Sequence, residues 1–338
     1  MDLNKNTIEE YMYFIKNTVQ KHSLLTFDKS AVEEVVKYGI KLAGRKDKLS
    51  TLFAEIEELI QEANYWAVKR GGKKVVLKDI LKAVKEHKNR LNLYEDKLLE
   101  YFKKEILRIK VDGEEIGIVN GLAVISTGEY TFGRPVRISA RVGLGTAGII
   151  NIEREAELSG KIHHKGVLIL EGFLKEKFAR EVPLVMDATI CFEQSNTGVE
   201  GDSASSAELY ALLSAMAHIP IKQNLAITGS VNQKGEIQAI GGVNEKITGF
   251  FNACKIKGFT GNQGVIIPES NIAEVMLDDE ISKEIKKGRF HIYAISHIDE
   301  GIPLLFGVSA EVLYRRVLNF LKENVLRWRK YMGVGWRR

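Results

Sequence analysis

Glu200-Gly201-Asp202-Ser203-Ala204-Ser205 and, further along, Gly241-Gly242-Val243-Asn244-Glu245-Lys246 are two glycine-rich turns, each followed by an apolar run that reads as a helix. The first turn offers a serine where the chain enters its helix, and the second a lysine 43 residues later. A serine hydroxyl is a weak nucleophile at neutral pH and needs a base to take its proton. Lysine can serve only where burial and its neighbours lower its pKa enough to leave the amine neutral. A helix N-terminus helps in that direction, because it disfavours positive charge. Its effect is small beside the several kcal/mol needed to bring a lysine from ~10.4 to near 7, so desolvation must dominate. Ser203 is the expected nucleophile, with Ser205 and Ser206 as rivals, and Lys246 is the expected general base. The competing structural reading is that Asp202 or Ser203 caps the next helix, a position both residue types favour. For Lys246 it is an exposed lysine in a first helical turn. The amides of Asp202 and Ser203 are candidate oxyanion donors, since helix starts leave N–H groups unpaired.

The pattern around these turns divides the chain. Residues 1–93 read as helical throughout. Thr7 precedes an apolar series through Ile15 and Val19; Asp28 or Ser30 can cap a second helix, and Ser50 precedes a third that ends at Gly71-Gly72. A fourth helix opens at Leu77. A charged connecting segment follows over 94–110. Beyond it, β-branched runs at 116–125, 136–142 and 149–152 alternate with glycine-rich turns. A helix is expected over 166–179, a strand over 182–193 leading to the serine loop, and a helix over 205–218. A hairpin is expected from 225–231 and 236–240, then a helix over 246–257 and strands at 265–267 and 290–295. Thr228, on the hairpin's first strand, can orient the lysine or the serine through its hydroxyl; the alternative is an ordinary strand threonine. The fold class is α+β: an all-helical N-terminal domain (1–93), an α/β domain (94–307) and a C-terminal segment (308–338).

These motifs, in this order, resemble the Lon proteases. The two active-site segments of that family are matched by 200–204 and 241–246. Ala226-Ile227-Thr228-Gly229-Ser230-Val231 through Gly235-Glu236-Ile237 is similar to its hairpin, and Phe192-Glu193-Gln194-Ser195 and Gly264-Val265-Ile266-Ile267-Pro268 extend the likeness. The chain most resembles the bacterial Lon-like branch with a divergent or inactive ATPase, the LonC and YcbZ-type proteins. The resemblance is strong over about 95–305 and looser over 1–93, where the helices look like the lid subdomain of an AAA+ ATPase. It implies a serine endopeptidase with a Ser203/Lys246 dyad, with Glu200, Asp202 and Thr228 behind it. Glu200 would pair with Lys246 at rest and withdraw when substrate binds. It also implies a homohexamer whose chamber admits unfolded or misfolded polypeptide, in protein quality control. Phe132, Met186, Phe192 and Val199 are candidate groove residues, with core packing as the alternative. No Gly-x-x-x-x-Gly-Lys-Ser/Thr occurs in the sequence, and Leu49-Ser50-Thr51-Leu52-Phe53 lacks the arginine a lid uses to sense nucleotide. No cofactor is therefore expected in this chain. ATP would matter only through an ATPase domain upstream, and the chain reads as a piece of a larger architecture.

Other classes are less well supported. A Ser-His-Asp hydrolase would need one of seven histidines (His22, His87, His163, His164, His218, His291, His297) in a base setting, and Gly-x-Ser-x-Gly is absent. Adjacent His163 and His164, read as strand residues pointing to opposite faces, do not suit one metal ion. Cys191 and Cys254 have no metal or redox spacing and read as reduced core residues of a cytoplasmic protein. Apolar residues make up 45% of 338 and charged residues 28%, an ordinary globular balance. No apolar stretch is long enough to span a membrane, and no signal-peptide pattern opens the chain. The net charge of +5 belongs to the C-terminal segment, where Arg315, Arg316, Lys322, Arg327, Arg329, Lys330, Arg337 and Arg338 face only Glu311 and Glu323. That segment reads as an amphipathic helix with Val312, Leu318, Leu321 and Val325 on its apolar face. Its charge gives some basis to the alternative function, a non-proteolytic Lon-like module binding nucleic acid or a partner protein.

Overall fold

The computed structural model describes residues 1–128, 130–195 and 198–333; Arg337 and Arg338 lie outside these. The chain forms two compact units. The first runs from Met1 to Lys97 and includes two short returns of the chain, at 127–130 and 273–276. It is built from helices α1 (Lys5–Lys21), α2 (Lys29–Ala43), α3 (Phe53–Lys69) and α4 (Leu77–Leu91) and the start of α5 (Leu93–Lys103). The caps are set locally. Asn4 and Thr7 exchange side-chain and backbone bonds of 3.0 Å in a capping box, so α1 begins ahead of Thr7. Asp28 Oδ1 accepts the Ala31 amide at 2.9 Å, and Ser30 supports Asp28 rather than capping the helix itself. Tyr11, Ile15, Val35, Ile56, Ile60 and Ile80 interdigitate as this unit's own core. The connecting segment expected at 94–110 is largely α5, and the division between the two units falls within it, after Lys97.

The second unit carries the sheet. After β1 (Glu114–Glu115) come β2 (Ile118–Ser126), β3 (Thr131–Gly143) and β4 (Gly148–Asn151), then α6 (Ile152–Glu155), α7 (Lys161–Phe178) and β5 (Asp187–Phe192). The serine loop leads into α8 (Ser205–Ala217), followed by β6 (Ile221–Lys222), β7 (Leu225–Ile227), β8 (Ser230–Val231), β9 (Ile237–Gln238) and α9 (Val243–Lys257). The chain ends with β10 (Gln263–Pro268), α10 (Asp279–Lys286), β11 (Phe290–Ile295), α11 (Ile298–Phe306) and α12 (Ala310–Tyr331). Seven strands form one mixed sheet in the order β11-β10-β7-β2-β3-β5-β4. The run β11-β10-β7-β2 is parallel, β3 is antiparallel to both β2 and β5, and β4 runs parallel to β5. β10, whose residues are all buried, is the continuous apolar strand expected where both faces of a parallel sheet are covered. α8 is apolar nearly all round and lies in the core, with Leu209, Leu212 and Leu213 fully buried.

Two further expectations change. The run 225–231 is not one strand: β7 joins the large sheet, and β8 pairs with β9 after a break at Thr228-Gly229. Of the expected apolar face of the C-terminal helix, Leu321 is fully buried and Leu318 and Val325 are partly buried against the core of the second unit, while Val312 is replaced there by its neighbour Leu313; Val317 and Asn324 are also buried. Its basic residues stay outside. Among the described residues, no helix is long and apolar enough to cross a membrane.

Candidate active site

The break between β7 and β8 is where the site forms, at the carboxyl end of a strand flanked by parallel neighbours, a usual ligand position in such sheets. Here the serine loop is bonded to the strand ends. The Thr228 amide donates to Ile266 O at 3.1 Å, which keeps Thr228 in line with β10. The Gly229 amide and Thr228 Oγ1 both donate to Ser203 O, at 2.8 and 3.0 Å. The Ser206 amide donates to Gly229 O at 3.1 Å, and Ser205 Oγ accepts the Val231 amide at 3.0 Å. Two rival serines are thereby accounted for: Ser205 holds the hairpin, and the buried Ser206 Oγ has no partner.

Ser203, half-buried at the head of α8, has Lys246 Nζ 2.8 Å from its Oγ. The lysine extends from the first turn of α9, whose N-cap is Gly242 at φ 69°, a left-handed conformation that favours glycine. Lys246 is 2% exposed, and its Nζ also meets Thr228 Oγ1 at 3.1 Å. Burial pulls its pKa down to about 8, against the opposing charges of Asp202 and Glu245. Neither Asp202 nor Ser203 caps α8, whose N-cap is Ala204 without a side-chain bond. Asp202 instead accepts from Ser230 Oγ at 2.8 Å, so the Ser203 hydroxyl is left to the lysine. The amides of Asp202 and Ser203 donate no hydrogen bond among the described residues.

Glu200 is elsewhere. Its Oε1 accepts the Ile162 amide at 3.2 Å, at the start of α7, rather than pairing with Lys246. The helix start is a natural seat for a carboxylate. Phe132, Met186 and Phe192 are buried, and Val199 bridges to Ser159, so the first three are packing residues rather than groove residues. His163 and His164 are helical, inside α7, and not on a strand. His163 is buried against Glu208, a pairing that sequence reasoning missed because the partners lie on different helices. Among the described residues, no group of three or more His, Cys, Asp or Glu is gathered to hold a metal ion. Both cysteines are free, and burial raises their thiol pKa values, to about 11 for Cys191.

Comparison with known proteins identifies the family. Residues 93–306 match the family model of the Lon protease (S16) C-terminal proteolytic domain, and residues 26–90 that of the archaeal LonB AAA+ ATPase lid domain. The chain is 44% identical over 217 residues to the "Putative Lon protease homolog" of Escherichia coli (strain K12), a match covering 62% of this chain and 37% of that protein. It is 33% identical over 322 residues to the "Archaeal Lon protease" of Thermococcus kodakarensis, covering 92% of this chain and 47% of that protein. The matches therefore span less than half the length of these relatives. With more than half of its residues in the S16 match, the chain belongs to the Lon protease family.

Proposed function

We propose that the chain is a serine endopeptidase in which Ser203 is the nucleophile and Lys246 the general base. The observation that carries this reading is the 2.8 Å contact between Ser203 Oγ and a buried Lys246 Nζ whose pKa is drawn down to about 8. A neutral Lys246 takes the hydroxyl proton as Ser203 Oγ attacks the peptide carbonyl. The oxyanion forms beside the amides of Asp202 and Ser203, which have no other acceptor among the described residues. The lysine then gives its proton to the leaving amine, and water hydrolyses the acyl-enzyme after a second transfer through the same group. Thr228 orients both partners, bonding the lysine and the serine backbone with one hydroxyl. The carboxylates of Asp202 and Glu200 hold the loop, through Ser230 Oγ and the Ile162 amide, and the charge of Asp202 works against the neutral lysine.

Unfolded or misfolded polypeptide is the proposed substrate, admitted to a chamber formed by a homohexamer in the cytoplasm. The dyad chemistry uses no nucleotide, and no cofactor is assigned to this chain. The test is degradation of denatured casein without ATP by the wild type and by Ser203→Ala, with light scattering to read the assembly. Loss of cleavage in the variant alone supports the reading. Equal cleavage removes Ser203 from the mechanism. No cleavage by either, with binding of duplex DNA or a partner protein, favours the non-proteolytic module.

A further inference from the structure

His163 and Glu208 form a buried hydrogen-bonded contact that the proposed chemistry does not use. His163 Nε2 lies 2.7 Å from Glu208 Oε1, and the side chains are 2% and 0% exposed. The other ring nitrogen meets Ser159 Oγ at 2.9 Å, and Phe192 packs edge-on against the ring at 5.2 Å. Burial opposes a charge on the imidazole, but the Glu208 hydrogen bond and charge, aided by Glu153 and Glu200, raise its pKa above the ordinary value. Two apolar side chains would join these helices without the desolvation cost of an ion pair. They would, however, fix no direction or register, which a short charged hydrogen bond does.

The pair ends a longer seam. The Val199 amide donates to Leu158 O at 2.8 Å, and the Gly160 amide to Val199 O at 2.9 Å. Next along, Glu200 caps α7 through the Ile162 amide. Gly166 then lies flat against Asp202, where an added Cβ would stand 3.3 Å from the Asp202 Cβ and 3.8 Å from that of Ser205. Glu208, one turn into α8, bonds His163. Residues 199–208 are thus held against 158–166 on both sides of Ser203, and His163–Glu208 is the tie on the helical side.

We propose that His163 and Glu208 are positioning residues: their contact locks the first turn of α8 to α7 and so holds Ser203 Oγ within reach of Lys246 Nζ. The inference rests on the dyad reading, and its test separates the two. Glu208→Gln weakens the tie, and the double variant His163→Leu/Glu208→Leu removes both polar groups while keeping the site apolar and filled. The readouts are thermal stability, the rate of fluorophosphonate labelling at Ser203, kcat and KM for a casein peptide, and the Ser203–Lys246 distance in crystals. The double variant is expected to melt no lower than the wild type, since such replacements are often neutral or stabilising. Its labelling and kcat should fall by about 10–100-fold, the scale of a misplacement of about 1 Å, with KM nearly unchanged. The crystal distance should open beyond hydrogen-bonding reach. A double variant that labels at the wild-type rate with the 2.8 Å contact intact overturns the positioning role and leaves the dyad standing. A wild type that neither labels nor cleaves removes the dyad instead, and the crystal distance alone then decides whether the pair positions the loop.

Discussion

A lysine serves as a base only while it is uncharged, so the pH response of this site follows from Lys246. With the group at about 8, only a minority of molecules carry the neutral amine at pH 7. The kcat/KM should rise about tenfold per pH unit below that value and level off above it, a single limb measurable with a peptide substrate. The same shift predicts stability. Between about 8 and the ordinary 10.5, the unfolded chain holds a proton that the folded chain has lost, so wild-type stability rises with pH across that window. Below it the native state bears the full penalty, on the order of 3 kcal/mol. Lys246→Met should therefore be inactive yet more stable than the wild type at pH 7, with the gap closing towards pH 10.5; denaturant titrations at the two pH values check this. The bonds lost at Ser203 and Thr228 reduce the gain. Thr228→Val keeps the shape but removes the hydroxyl that bonds both Lys246 Nζ and the Ser203 carbonyl, which keep their contacts to Ser203 Oγ and the Gly229 amide, at a cost of about 1–3 kcal/mol for the two hydrogen bonds lost. Its kcat should fall more than its KM rises. Both members of this contact were legible because each sits in a glycine-rich turn whose neighbours narrow the choice. Glu208 was not, since a glutamate in a helical run carries no local mark of a histidine 45 residues upstream.

Helix positions matter as much as side chains, because α9 carries the lysine and must lie close to β3. Two glycines allow the approach. A Cβ at Gly249 would stand 2.2 Å from Gly133 O, and one at Gly133 would stand 2.0 Å from Glu245 O, backbone in both cases. Gly249→Ala would raise helix propensity by about 1 kcal/mol on an isolated helix. Here the clash decides, and a net loss of about 1–3 kcal/mol is expected as α9 is pushed off the strand. Lys246 should move with it, so Ser203 labelling slows beyond what the loss of stability explains; melting curves and labelling rates measured together test this. Element boundaries were readable where the signals were local, as at Asp28 for the start of α2 and Gly71-Gly72 just beyond the end of α3. α7 shows the opposite. It begins at Lys161, five residues before the expected start, behind a glycine N-cap with no side-chain bond of its own. The carboxylate at that helix start is Glu200, 38 residues away, so no local pattern announces the helix. For the same reason the sequence alone reads the histidine pair as strand residues, where the structure has them in α7.

Each of the two units has its own core, and at the scale of the whole chain this predicts separable responses to substitution. In the first, Asp79 is 3% exposed and accepts two bonds from Arg70, at 2.9 and 2.7 Å, and one from the Val76 amide at 3.0 Å. Arg70, then the amide, hold its carboxyl below the usual range, so its contribution is present at neutral pH and is lost as pH falls through the lowered pKa. Asp79→Ala should cost about 1–3 kcal/mol by leaving these donors unpaired. In the second, α12 is core rather than appendage, with Leu313, Val317 and Leu321 fully buried and Asn324 Nδ2 bonded to Val185 O at 2.9 Å. Leu321→Ala should cost about 2–5 kcal/mol, the range for a large-to-small change in a packed interior. Reversing Arg315 and Arg316, on the exposed face, should cost less than about 0.5 kcal/mol. Hydrogen exchange by mass spectrometry reads these effects segment by segment. Asp79→Ala should lower protection in α2, α3 and α4 and leave α8 and β10 unchanged, while Leu321→Ala should do the reverse. Equal loss across all of these segments for either variant would mean that the two cores unfold as one.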